Sequence, residues 1–190
     1  MALVIAGCEK SVPGASGKPS AADHPSTDEG EVRLEPMDPK EVEAWDRAKD
    51  GDDDDRMRLA DRVGCTGLRE RTQEPGRRST AIRAMAYCSD FFELPWLVSM
   101  AASADDAEGI EALEAIVEQA ARPRRATDPE DAQDLAAGCQ ALLAFSRDRG
   151  RPQARRVIAI RALRMLAPRG CVKRVEIPTE FDANDDSGPQ

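Results

Sequence analysis

This sequence is poor in the residues that enzymes most often rely on. Its one histidine, His24, lies in a stretch without apolar periodicity, so a histidine base or a histidine-ligated zinc site is poorly served. None of its five cysteines forms a C-x-x-C pair, and there is no G-x-S-x-G elbow, P-loop or G-x-G-x-x-G turn. Aromatic residues make up 4% of the chain, which leaves Ala, Leu, Ile and Val to build a core. Nowhere do about 18–20 apolar residues run together, so no segment reads as a membrane-spanning helix. A formal net charge of −9 argues against nucleic acid as a partner, because phosphate recognition needs a basic surface. Its simplest use is solubility.

Helical periodicity fills most of the chain. Residues 9–36 are rich in Ser, Pro, Gly, Ala, Asp and Glu and read as a solvated linker. A coil of roughly 28 residues has a root-mean-square reach on the order of 30 Å. Order is expected to begin at Asp38-Pro39-Lys40-Glu41, an N-cap aspartate with proline at the first helical position. The same signature returns at Asp128-Pro129-Glu130-Asp131, and Asp105 or Asp106 can cap a third helix. In that helix Ile110, Leu113, Val117 and Ala120 share one face and Glu111, Glu114 and Glu118 another. About seven helices follow from such patterns, near 39–49, 55–73, 77–88, 93–103, 106–121, 129–147 and 152–167, parted by Gly and Pro breakers. Residues 172–177 are the best strand candidate and read as an extended tail. The expected fold is all-α, a helical domain over 37–177 followed by a disordered tail over 178–190.

The first residues, Met1-Ala-Leu-Val-Ile-Ala-Gly-Cys8, end in Ile5-Ala6-Gly7-Cys8. This resembles the end of a bacterial lipoprotein signal peptide, whose lipobox runs Leu/Val/Ile, small, Gly/Ala, Cys. No basic stretch precedes it, so the resemblance implies a start further upstream or a trimmed leader. It also implies cleavage that leaves residues 1–7 as a signal remnant, lipidation of Cys8, and residues 8–36 as a lipidated tether. The expected location is the bacterial envelope, facing the periplasm and most naturally on the outer membrane, with a coincidental motif in a cytosolic protein as the alternative.

Removing Cys8 leaves four cysteines, Cys65, Cys88, Cys139 and Cys171. An oxidising periplasm would allow two disulfides, and four small buried hydrophobes are the competing reading. The turn between helices 55–73 and 77–88 centres near Pro75. Cys65 stands about ten residues before it and Cys88 about thirteen after it, so an antiparallel hairpin can bring the two to one height. Cys139 with Cys171 requires the chain beyond the last helix to fold back.

Three segments, 78–87, 109–117 and 156–166, are alike in their Ala/Ile/Leu runs with interspersed Arg or Glu. They resemble second helices of HEAT repeats, and Leu94-Pro95 resembles the opening of a first helix. The resemblance implies a short solenoid of helical hairpins at roughly 55–88, 91–121 and 129–167, with 39–49 as a cap. An irregular helical bundle is the alternative.

Arg69, Arg71, Arg77 and Arg78 flank one expected hairpin turn, and Arg147, Arg149, Arg151, Arg155 and Arg156 flank another. In a solenoid such turns share an edge, so a basic rim could meet anionic headgroups or an acidic protein; the plainer reading is solvated arginines with local acidic partners. The acidic run 52–55 lacks spaced calcium-ligand geometry and stands at a helix start, where carboxylates suit the macrodipole. No catalytic group, metal or cofactor is expected. The leading expectation is a membrane-anchored scaffold binding an envelope protein. A cytosolic interaction domain and a carboxylate- or metal-dependent enzyme are the alternatives. Acyl chains contribute about 0.8 kcal/mol per buried methylene, so Cys8→Ser expressed from the full reading frame should move the protein from the membrane to the soluble fraction. A wild type that is already soluble and unmodified would sink the anchor.

Overall fold

Four aspartates open helices, each accepting backbone N–H groups that a first turn leaves without partners. They are seen in a computed structural model that describes residues 37–103, 105–123 and 128–179. Asp38 accepts from Lys40 and Glu41 to start α1 (Pro39–Asp50), and Asp52 accepts from Asp54 and Asp55 to start α2 (Asp53–Val63). After α3 (Cys65–Arg71), α4 (Arg78–Met85) and α5 (Leu94–Ser103), Asp105 starts α6 (Asp106–Ala121) by accepting from Glu108 at 3.0 Å. Asp128 starts α7 (Pro129–Arg147) by accepting from Asp131 at 2.8 Å, and α8 (Gln153–Leu166) completes the set. Among the described residues the fold is all-α, with two short 3₁₀ turns after α8. Cys8, the linker and the tail from residue 180 lie outside the described residues.

Two sequence expectations are corrected. The single helix expected over 55–73 is two helices, because Gly64 adopts φ 74°, a left-handed angle that ends α2. Its N–H still bonds the Ala60 carbonyl at 2.9 Å, and α3 sets off from the next residue. Residues 172–177 are not an extended tail. They contain a 3₁₀ turn, Arg174–Glu176, with Val172 and Ile177 buried on either side of it.

The helices pack as hairpins in chain order. α3 lies against α4, α5 against α6 and α7 against α8, while α1 and α2 cover the open side of α4. The later member of each hairpin stacks on the next, α4 on α6 and α6 on α8, and α5 lies along α7. Each hairpin thus completes its core only against a neighbour. α6 has helices on three sides, so it buries Ala112, Ala115 and Ile116 as well as Leu113, while Ile110 and Val117 are only half-buried. Leu97, Leu113, Leu142 and Leu163 are fully buried, each stabilising the fold by about 1.5–3 kcal/mol relative to exposure.

Two cysteine pairs stand at disulfide distance. The Cα atoms of Cys65 and Cys88 are 5.7 Å apart, and those of Cys139 and Cys171 are 5.8 Å apart. The first pair joins the start of α3 to the turn after α4. The second brings the chain beyond α8 back onto the middle of α7.

α8 begins with two buried arginines, which place positive charge near the positive end of their own helix. What compensates them lies across the interface. Arg155 donates to the Ala101 carbonyl at the end of α5 at 3.0 Å and to Asp106 at 2.7 Å, and Arg156 donates to the Ser146 carbonyl at the end of α7. The Arg155 guanidinium lies against α6 where Gly109 has no side chain; a Cβ there would stand 2.6 Å from Arg155 Cζ. Gly109→Ala should therefore displace Arg155 and cost about 2–4 kcal/mol in urea unfolding, much as Arg155→Ala should. The double variant should lose little more than either single one, since both remove the same contact. Additive losses would show that the guanidinium does not depend on Gly109.

Candidate functional site

The nine arginines expected to form a basic rim are largely engaged with partners, and those partners lie at both ends of α5: Arg69 is near its start, Arg151 and Arg155 at its end. Arg78 ties the α3–α4 turn to Glu108 at 3.4 Å and Arg155 ties α8 to Asp106, so one arginine of each group reaches the start of α6. Arg71 and Arg77 share Glu74, and Arg71 also lies 3.7 Å from Glu41. Arg69 stands 3.6 Å from Glu93 with its guanidinium 5.7 Å from the Trp96 ring. Arg147 donates to the Glu176 carbonyl, and Arg151 to Asp148 and to the Ala102 carbonyl. Arg155 and Arg156 are buried and take no part in a surface. Arg149 is exposed.

A second pattern runs through these contacts and was not visible in the sequence. Helix ends carry carbonyls without intrahelical partners and the negative end of the macrodipole. Arg56 donates to Gly51 at the end of α1, Arg78 to Thr72 at the end of α3, and Arg169 to Ala120 and Arg122 at the end of α6. With Arg151 and Arg155 on α5 and Arg156 on α7, five helix ends receive a guanidinium from a later part of the chain. The arginines act here as ties between elements. The spacing of charges along the chain does not reveal the longest of these ties, because the carbonyls that Arg151, Arg155 and Arg169 reach lie about fifty residues away.

What the charges leave open is a groove between α5 and α7. Pro95, Val98, Ser99 and Ala102 line one wall, and Ala141, Ala144, Phe145 and Asp148 the other, around a cavity of about 350 Å³. Arg151 closes one end, held by Asp148 and by the Ala102 carbonyl, with its guanidinium 5.5 Å from the Phe145 ring. Three of the lining residues are alanines that leave the floor shallow. The sequence signal for this groove is the i, i+3, i+4, i+7 spacing of 141, 144, 145 and 148, which puts all four on one face. That α5 would stand opposite required the three-dimensional packing.

Among the described residues no group of three or more His, Cys, Asp or Glu side chains is placed to hold a metal ion, and no helix is long and apolar enough to cross a membrane. The acidic run 52–55 caps and opens α2, with Asp53 and Asp55 paired to Arg56 and Arg58.

Glu93 was not singled out from sequence. Its side chain is fully buried just ahead of α5, and neither carboxylate oxygen has a hydrogen-bond partner. Burial pushes its pKa up to about 6; Arg69 opposes the shift, while Asp90 and Asp134 add to it. No family model, no curated protein and no solved structure matches the chain.

The raised Glu93 pKa has a definite consequence for stability. Between the ordinary value of 4.5 and about 6, the folded chain holds a proton that the unfolded chain has released. Stability contributed by neutral Glu93 is therefore complete at low pH, falls as pH rises through that window, and is flat above it. The fall should amount to about 2 kcal/mol. Glu93→Gln should remove this part of the slope in urea unfolding series from pH 4 to pH 7, whereas parallel curves for the two proteins would exclude it.

Proposed function

We propose that this chain is a lipid-anchored scaffold of the bacterial envelope that holds a helical segment of a partner protein in the α5–α7 groove. The observation that carries this reading is the apolar floor of that groove, formed by Val98, Ala102, Ala141, Ala144 and Phe145, on a chain that is 33% charged. Residues 141–148 extend along an α-helix for about 10 Å, enough to meet roughly two turns of a partner helix. The alanines hold no side chain beyond Cβ, so a partner backbone can approach closely. An apolar helix face laid in a groove of this kind is a common mode of peptide recognition.

The anchor half of the proposal rests on Ile5-Ala6-Gly7-Cys8 and on the linker that follows, whose reach would keep a domain on the membrane but clear of headgroups. Four cysteines at disulfide distance in two pairs suit an oxidising compartment. The hairpin stacking of α4, α6 and α8 suits the HEAT-like reading of the repeats. A scaffold needs no catalytic constellation, and none is assigned.

Ala144 is exposed on the groove wall, so Ala144→Glu should place a charge in the partner's path without disturbing the core. The test is affinity capture of the full chain from detergent-solubilised envelopes, comparing Ala144→Glu with Glu114→Lys on the far side of the stack. A charge buried against an apolar face should lower recovery of the true partner at least about tenfold for Ala144→Glu, while Glu114→Lys and the unfolding midpoints of both stay near wild type. Partners retained equally by all three proteins would sink the groove as the binding site.

A further inference from the structure

We propose that the Cys65–Cys88 bond is an exchange site for a dithiol oxidoreductase, which docks on the cleft that this bond lines. The cleft has a volume of about 340 Å³, and both cysteines contribute to its wall together with Gly64, Asp61, Asp90 and Phe92. Phe92 is 49% exposed, one of the few large apolar side chains presented to solvent, and it stands on the same cleft. An open wall that holds a disulfide beside an exposed aromatic ring offers a sulfur to attack and an apolar surface to dock on.

The two cysteine pairs differ in how they are held. Cys65 is half-buried and is the first residue of α3, directly after the left-handed Gly64; Cys88 lies in the turn after α4. Both ends of this pair therefore sit at helix ends, where the backbone can shift without breaking a helix. Cys139 is fully buried in the middle of α7, ten residues after its first residue and eight before its last. Exchange needs in-line access to one sulfur and room for the departing one, and rates follow access as well as thiolate character. Cys171 is half-buried like Cys65, and Cys88 is as buried as Cys139, so what sets the first pair apart is the cleft that both of its cysteines line.

The chemistry balances with the oxidoreductase as the only co-reactant. Its thiolate attacks Sγ of Cys65, the less buried of the two residues. The Cys65–Cys88 bond breaks, and its electron pair leaves on Sγ of Cys88, which takes up a proton. The enzyme's second thiolate then attacks its own sulfur in the mixed disulfide and releases Cys65 as a thiol. Two thiols are gained here while the enzyme's dithiol becomes a disulfide, and an oxidised enzyme runs the same steps backwards to install the bond. Cys65 is thus the residue that carries the intermediate.

The test uses the full chain with both bonds formed and two reductants, a reduced thioredoxin-type dithiol enzyme and dithiothreitol. Alkylation followed by mass spectrometry reads which cysteines open first. Cys65 and Cys88 should be labelled at least about tenfold faster than Cys139 and Cys171 with either reductant. Phe92→Ala should slow the enzyme severalfold and leave the dithiothreitol rate unchanged, because it removes a docking contact and no sulfur. An enzyme lacking its resolving cysteine should be trapped on Cys65. Equal labelling of the two pairs, or opening only at denaturant concentrations that unfold the chain, overturns the proposal. So does enzyme reduction that ignores Phe92 or trapping on Cys88. Unchanged helicity of Phe92→Ala separates a docking defect from misfolding. None of these readouts involves the α5–α7 groove, so this proposal and the scaffold reading can fail separately.

Discussion

The fold depends on guanidinium groups laid over the carbonyl ends of helices. A short helix leaves about four carbonyls without partners, and in a domain built from short hairpins such ends are numerous. Here Arg56, Arg78, Arg151, Arg155, Arg156 and Arg169 each reach an end contributed by an earlier helix. A guanidinium suits this task because it keeps its charge and offers five donors in a plane, so one side chain can serve a carbonyl and a carboxylate together. Arg155 does so with Ala101 and Asp106. Those of Arg151, Arg155 and Arg169 join segments some fifty residues apart, which a core of small aliphatic side chains would otherwise have to hold by packing alone.

This use of arginine also shapes the outer surface. In a chain with 27 basic and 36 acidic residues, many of the arginines are engaged in ties to helix ends and in local pairs with carboxylates. Against that background the α5–α7 groove is set apart by its apolar character, whereas the cleft beside Phe92 is mixed, with Asp61, Thr66, Ser89 and Asp90 in its lining. One is a shallow channel between two long helices. The other is a recess at the ends of two short ones, with a different chemistry in its wall.

Much of the architecture was legible in the sequence because its signals are local. Asp38, Asp105 and Asp128 announce helix starts through their own side chains, and the breaks at Gly51, Pro75 and Gly150 follow from backbone preferences. The pairing of Cys65 with Cys88 followed from their similar distances to a turn. Gly64 escaped notice because a lone glycine inside an apolar pattern is tolerated in many helices, and only its φ of 74° shows that this one ends α2. The roles of the arginines were not legible, since an arginine near a turn looks the same whether it faces solvent or a carbonyl fifty residues away. Glu93 escaped for a like reason: its burial is produced by packing around it and not by its neighbours in sequence.

The positions of the two cysteine bridges divide the domain mechanically. One encloses α3 and α4, and the other encloses α8 with the chain that returns to α7. α1 and α2 lie outside both loops and are held by packing, by helix caps and by ion pairs such as Arg71 with Glu41. A load entering the domain at its first helix would meet no covalent cross-link before Cys65. α1 and α2 would peel away from α4 first, while the segments inside the two cross-linked loops kept their shape. Tension at that end would thus be met by reversible unwinding of two helices, a compliant element in series with a stiff one.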